Sequence, residues 1–232
     1  MVRRTLVAFV IGAFCIAAPV QADEQLLYLT SDAGGQRLLD AELNRDYFSL
    51  ASYLESEQIL TFCGPATVAG VANSLDIPRP SPTRLFPWAL FTQDTLFNPA
   101  NQALKPYAMV EHEGLTLDEL DSFIENVGLA AEHRFADETS VDELRAAIKQ
   151  TLGDSNARLI VNYSRKALPQ NGDGHISPVA AYDEDTDTVL ILDVAKYKYP
   201  PVWISVEKLH EAMMLVDAGS NRSRGFVQVS VK

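Results

Sequence analysis

Apolar residues recur at helical spacing in four stretches of the chain. Val68, Val71, Ala72 and Leu75 follow the i, i+3, i+4, i+7 rule of a buried helix, with Pro65 in the first turn, where a missing N–H costs nothing. Cys63 therefore falls at or just before a helix N-terminus. Thr116-Leu117-Asp118-Glu119 reads as a capping box, followed by Leu117, Leu120, Phe123, Ile124 and Val127 and stopped by Gly128. Ser140-Val141-Asp142-Glu143 is a second box, leading into Leu144, Ile148 and Leu152 and ended by Gly153. Ser205 starts a further helix with Leu209, Ala212 and Met213 facing inward.

The second half of the chain changes period. Arg158 to Tyr163, His175 to Tyr182 and Thr188 to Val194 are apolar runs of strand length, the last two separated by the charged turn 183–187. Phe226 to Val231 alternates as a closing strand does. Residues 78–106 instead carry Pro78, Pro80, Pro82, Pro87, Pro99 and Pro106 among Phe, Leu and Trp88, which predicts a long covering loop with short helical turns. Helices first and a mostly antiparallel sheet afterwards make an α+β fold.

The chain has 232 residues, 47% hydrophobic and 22% charged, with no internal repeat or inter-domain linker. That composition is globular. A formal charge of −12 opposes binding to nucleic acid or an anionic membrane surface. Arg3 and Arg4, the apolar run Leu6 to Ala18 and the small residues of Val20-Gln21-Ala22 read as a signal peptide, residues 1–22. Cleavage after Ala22 would leave one domain, residues 23–232, periplasmic or secreted, off the membrane. Cys15 would leave with the peptide, so Cys63 would be the sole cysteine, with no internal disulfide.

At a helix N-terminus the macrodipole and free N–H groups lower a thiol pKa, which makes Cys63 a candidate nucleophile. His175 and Asp193 are equidistant from Glu184 in the acidic turn, so an antiparallel pair would set them opposite each other, within a residue or two. Asp193 lies among apolar residues, and a buried carboxylate needs a partner. The pair would form a base and its orienter. An inert buried cysteine and a structural His–Asp pair are the alternatives. His112 and His133 fall between expected elements and His210 on the polar side of its helix, without metal-site spacing.

Cys, then His, then Asp is the order of papain-like cysteine peptidases. The local sequences are more specific. Phe62-Cys63-Gly64-Pro65-Ala66, the run Gly174-His175-Ile176-Ser177-Pro178-Val179-Ala180-Ala181-Tyr182, and Leu192 to Trp203 with Tyr199-Pro200-Pro201 resemble the three active-site segments of the phytochelatin synthase family; Phe91-Thr92-Gln93-Asp94 also resembles its bacterial members. The resemblance covers roughly residues 45–230. It implies a papain-like fold and attack on the Cys–Gly bond of glutathione, the donor. Glycine leaves, and γ-glutamylcysteine stays on the enzyme as a thioester. Water or a second glutathione, the acceptor, then takes the acyl group. On that mapping Cys63 is the nucleophile, His175 the base and acid, and Asp193 the residue that fixes the imidazole. Gly174, Asp217 and Arg224 then bind substrate, Arg224 suiting the α-carboxylate and Asp217 the α-ammonium.

Two positions depart from the family. Its oxyanion-hole glutamine lies six residues before the cysteine, where this chain has Glu57; a carboxylate opposes an oxyanion, so Gln58 is the expected donor, with a one-residue shift. Its arginine three residues after the aspartate is here Lys196, which loses the bidentate fork. With the cysteine-rich C-terminal half of the plant enzymes missing as well, hydrolysis is expected to exceed transfer. No resident cofactor or metal site is expected; cadmium or zinc would act through metal–glutathione thiolates. A homodimer is compatible with the sequence. A papain-like peptidase of other peptides and a non-catalytic binding module are the competing readings.

Overall fold

The computed structural model describes residues 26–232, and the expected signal peptide lies outside them. The strands are β1 (Leu27–Tyr28), β2 (Leu129–Phe135), β3 (Ala157–Ser164), β4 (Gly174–Asp183), β5 (Thr188–Ile191), β6 (Val202–Ser205), β7 (Val216–Asp217), β8 (Arg222–Ser223) and β9 (Gly225–Val231). Seven of them form one sheet in the order β1-β6-β5-β4-β3-β9-β2, with every neighbouring pair antiparallel. β7 and β8 make a separate short ladder. The helices are α1 (Asp32–Asp40), α2 (Arg45–Tyr53), α3 (Cys63–Ser74), α4 (Pro99–Leu104), α5 (Tyr107–Glu113), α6 (Leu117–Glu125), α7 (Val141–Leu152) and α8 (Val206–Met214). The fold is α+β.

Two apolar cores sandwich the sheet. Ile160, Ile176, Ala180, Leu190 and Val227 pack with α2, α3 and α6 on one face. Leu159, Val161, Val179, Ile191 and Phe226 pack with α7 and α8 on the other. Both faces being covered explains why β3 is buried at every position and why its central Leu159-Ile160-Val161 does not alternate with polar residues. None of the described helices is long and apolar enough to cross a membrane.

The capping boxes at Thr116 and Ser140 form with both reciprocal bonds and start α6 and α7; Ser205 caps α8. α3 departs from the one-sided stripe expected of it. Residues Gly64 to Asn73 are all buried, because small side chains let neighbours close in on every side. A Cβ added at Gly70 would come 2.6 Å from Leu54 Cδ1. Thr67 Oγ1 donates to Ile176 O at 3.1 Å, locking α3 across β4.

Other expectations are corrected. β5 stops at Ile191, so Asp193 follows the strand instead of ending it. His133 lies within β2 and His112 within α5, not between elements. The acidic turn 183–187 joins β4 and β5 as expected and is held by α7: Arg145 donates to both oxygens of Asp187 at 2.8 Å, and Lys149 pairs with Glu184.

Candidate active site

Phe62 occupies the N-cap position of α3 without a capping side chain, and Cys63 is the first helical residue. His175, the second residue of β4, sits in register with Tyr163 of β3. Its ring packs edge-on against Tyr163 at 5.8 Å, which limits its rotation. A Cys63 sulfur, a His175 ring nitrogen and a Glu57 carboxylate oxygen all lie within 4.8 Å of one another.

His175 Nε2 is 2.8 Å from Asp193 Oδ1, although its N–H makes no well-aligned hydrogen bond. The approach is diagonal. Leu192 N–H donates to Pro178 O at 3.0 Å and Val194 N–H to Ser177 Oγ at 3.3 Å, so the chain around Asp193 runs beside residues 177–178. The β-bulge between Val179 and Ala181 displaces the simple midpoint register. With Nε2 directed to Asp193, Nδ1 is the nitrogen left for Cys63.

Arg165 is a member of the site that sequence reasoning missed. It is buried just past β3, and its Nη2 lies 2.9 Å from Asp193 Oδ1 and 2.7 Å from Oδ2. Ala195 N–H donates to Oδ1 as well. Burial alone would raise the Asp193 carboxyl; the close approach and charge of His175 and the charge of Arg165 more than offset it and hold it below its ordinary value. The signal in the sequence was a cation closing a buried strand, which is costly unless paired.

The expected oxyanion donor is corrected. Gln58 is exposed; Glu57 is the residue buried against Cys63. No one-residue shift occurs, because the backbone on both sides of Glu57 is pinned. Gln93 Nε2 donates to Ser56 O, and its Oε1 accepts from Gln58 N–H, both at 3.0 Å. Glu57 N–H itself donates to Val194 O at 2.9 Å. Gln93 belongs to the segment Phe91-Thr92-Gln93-Asp94, which thereby holds the loop before Cys63.

Protonation also differs from the helix-terminus expectation. Burial, and then the charge of Glu57, push the Cys63 thiol up to about 12, although the Ile176 and Gly64 N–H groups pull it down. Burial lowers His175 against the opposing pull of Asp193. Desolvation thus works against the macrodipole at Cys63 and favours the uncharged ring at His175.

Cys63, Gly174, His175, Asp217 and Arg224 line one cavity of about 270 Å³. Arg224 is buried, which excludes an exposed ion pair. Its guanidinium donates to Asn162 Oδ1 at 3.1 Å and lies 3.4 Å from Asp173 Oδ1 and 3.7 Å from Asp217 Oδ1. A Cβ on Gly174 would come 2.4 Å from Arg224 Nη1, so glycine gives the guanidinium room to lie across the mouth of β4. Lys196 is not in this cavity. It lines a second one, also about 270 Å³, with Asp193, Tyr199 and Pro200, and its Nζ donates to Leu54 O.

A model of the phytochelatin synthase family matches residues 18–226. The chain belongs to that family. Its curated relatives include glutathione gamma-glutamylcysteinyltransferase 2 of Arabidopsis thaliana, 32% identical over 79% of this chain and 39% of the relative. Glutathione gamma-glutamylcysteinyltransferase 1 of Triticum aestivum is 32% identical over 86% of this chain and 40% of its own. Glutathione gamma-glutamylcysteinyltransferase of Schizosaccharomyces pombe is 31% identical over 89% and 49%. The chain thus spans half or less of the length of these relatives.

Proposed function

We propose that the protein is a thiol enzyme that cleaves the Cys–Gly bond of glutathione through a γ-glutamylcysteinyl thioester on Cys63. The observation that carries this reading is the shared cavity, with a nucleophile and base at one side and Arg224 and Asp217 at the other. The family membership and the names of the relatives point to the same substrate.

Because thiol and imidazole rest neutral, sulfur attack and proton transfer to His175 Nδ1 occur together. The imidazolium is stabilised by Asp193, which does not take the proton. His175 then protonates the departing glycine amine and later activates water against the thioester. Arg224 meets the α-carboxylate of the glutamyl end and Asp217 its α-ammonium, the charge pairing that fixes which amide reaches Cys63. The catalytic unit has a papain-like arrangement. Hydrolysis outweighs transfer, since Lys196 supplies a point charge where an arginine would supply a fork. The same reading has residues 1–22 removed on export.

Incubating the purified protein with glutathione, with and without cadmium, and identifying products by mass tests this. Glycine and γ-glutamylcysteine should dominate, with a minor phytochelatin product that grows with glutathione concentration. Glycine release should vanish in Cys63→Ser. Intact glutathione alongside cleavage of unrelated peptides would instead establish a general peptidase. N-terminal sequencing of exported material should begin at Asp23.

A further inference from the structure

Glu57 places a carboxylate oxygen within 4.8 Å of Cys63 and His175; its Oε2 is buried without a hydrogen-bond partner, while Oε1 accepts the Tyr197 hydroxyl. An ionised carboxylate here would leave one charged oxygen unsolvated and set it against the sulfur that must itself become negative. A protonated carboxyl has the opposite character. Its carbonyl oxygen is satisfied by Tyr197, and its O–H is a donor held ready at the reacting atoms. The backbone holds it there, since Glu57 N–H is bonded to Val194 O and Gln93 bridges Ser56 and Gln58. Preorganised donors of this kind are what stabilise developing oxyanions.

We infer that Glu57 acts as a neutral carboxylic acid whose Oε2–H donates a hydrogen bond to the oxyanion formed when Cys63 attacks the scissile carbonyl. This rests on the acyl-enzyme reading above. In the addition step the C–S bond forms, the carbonyl π pair moves onto oxygen, and the thiol proton passes to His175. Glu57 keeps its own proton throughout. On collapse the pair returns, the C–N bond breaks, and His175 gives its proton to the amine.

The groups facing Glu57 support a neutral state. Burial raises its carboxyl first, and the charge of Asp193 adds to that. The Tyr197 bond, Arg165 and Lys198 pull the other way without cancelling it. Neutral Glu57 also removes the negative charge that opposes the Cys63 thiolate. One proton thus serves both the nucleophile and the oxyanion.

The test is the single-turnover rate of glycine release from glutathione across pH, with the Cys63 thioester followed by mass, in wild type, Glu57→Gln and Tyr197→Phe. The wild-type rate should fall as pH rises through the Glu57 titration. Glu57→Gln carries an N–H donor that does not titrate. Its rate relative to wild type should therefore climb about tenfold per pH unit above that point, up to the ~10²–10³-fold that one oxyanion donor is worth. Tyr197→Phe loses a bond that favours the carboxylate, so its fall should move to higher pH. Profiles of identical shape in wild type and Glu57→Gln would overturn the inference while leaving the acyl-enzyme reading intact. Absence of any thioester on the wild-type enzyme would overturn both. Circular dichroism verifies that Glu57→Gln is folded; should it not fold, an unshifted profile in Tyr197→Phe overturns the inference by itself.

Discussion

Arg165 Nη2 touches both carboxylate oxygens of Asp193, the residue that also faces His175 Nε2. The negative charge that would stabilise an imidazolium is already shared, which helps keep His175 neutral at rest. Arg165→Met should raise the His175 pKa, because a nearby cation disfavours the charged ring. The acid-side fall of kcat/KM should move to higher pH. Leaving Asp193 without its cation should also cost ~3–5 kcal/mol of stability in a urea titration. An unmoved pH profile would assign Arg165 to stability alone.

Asp193→Asn tests the orienter. An amide can turn its N–H toward Nε2 and hold the ring in the wrong tautomer, so the acylation rate should drop by roughly 10³–10⁴-fold. Reduced stability with undiminished acylation would make the pair structural.

Gly174→Ala should act on binding. The new Cβ meets the Arg224 guanidinium at 2.4 Å and must displace it. We expect KM for glutathione to rise at least tenfold, with kcat less affected, because the displaced group contacts the far end of the substrate. Equal losses in kcat and kcat/KM would place Arg224 in transition-state stabilisation instead.

Lys196→Arg should shift the product ratio. Lys196 lines a cavity that it shares with Asp193 and that is separate from the substrate cleft, and its Nζ donates to Leu54 O. An arginine there restores a fork for a second carboxylate-bearing substrate. Phytochelatin should increase relative to γ-glutamylcysteine at high glutathione. An unchanged ratio would remove this cavity from the acceptor path.

Acid should withdraw two contributions to stability from the site, while the raised carboxyls of Asp46 and Glu57 act in the opposite sense. His175 has a folded pKa below its ordinary value of about 6.5, so at this group the unfolded chain binds more protons just below that pH and the contribution of His175 to stability falls there. Asp193 is also depressed, so its contribution is present above about pH 3.9 and is lost as pH falls through its folded pKa. The difference between denaturant titrations of wild type and His175→Gln at a series of pH values should isolate the first contribution; a difference independent of pH between about 7 and about 5 would remove it.

The elements that announced themselves did so through local chemistry. Thr116 and Ser140 cap their helices by reciprocal bonds within four residues, and Ser205 caps by a local bond of the same reach. Ser31 caps α1 in the same way, whereas α2, α5 and β2 carry no comparable signal, because tertiary packing and the pairing of β2 with β9 supply what their own sequences lack. The same divide runs through the site. Cys63, His175 and Asp193 were legible from order and spacing. Glu57 was set aside for its charge, since sequence does not display how deeply a carboxyl is buried or that Tyr197 meets it from 140 residues away. The same holds at Cys63: the helix terminus that would lower its thiol is visible in sequence, the desolvation that raises it is not.

Gln93 has one more consequence. It and Phe91, whose backbone is held by both polar atoms of the Asn73 amide, tether the proline-rich segment to the reacting loop and to α3. A few residues earlier the same segment is untethered by comparison, with Phe86 and Trp88 each 77% exposed. Length variation is therefore unequally tolerated along this one stretch. Extra residues grafted at 84–88 would be absorbed at the surface, while a single insertion between Phe91 and Gln93 would pull the Ser56–Gln58 backbone out of place.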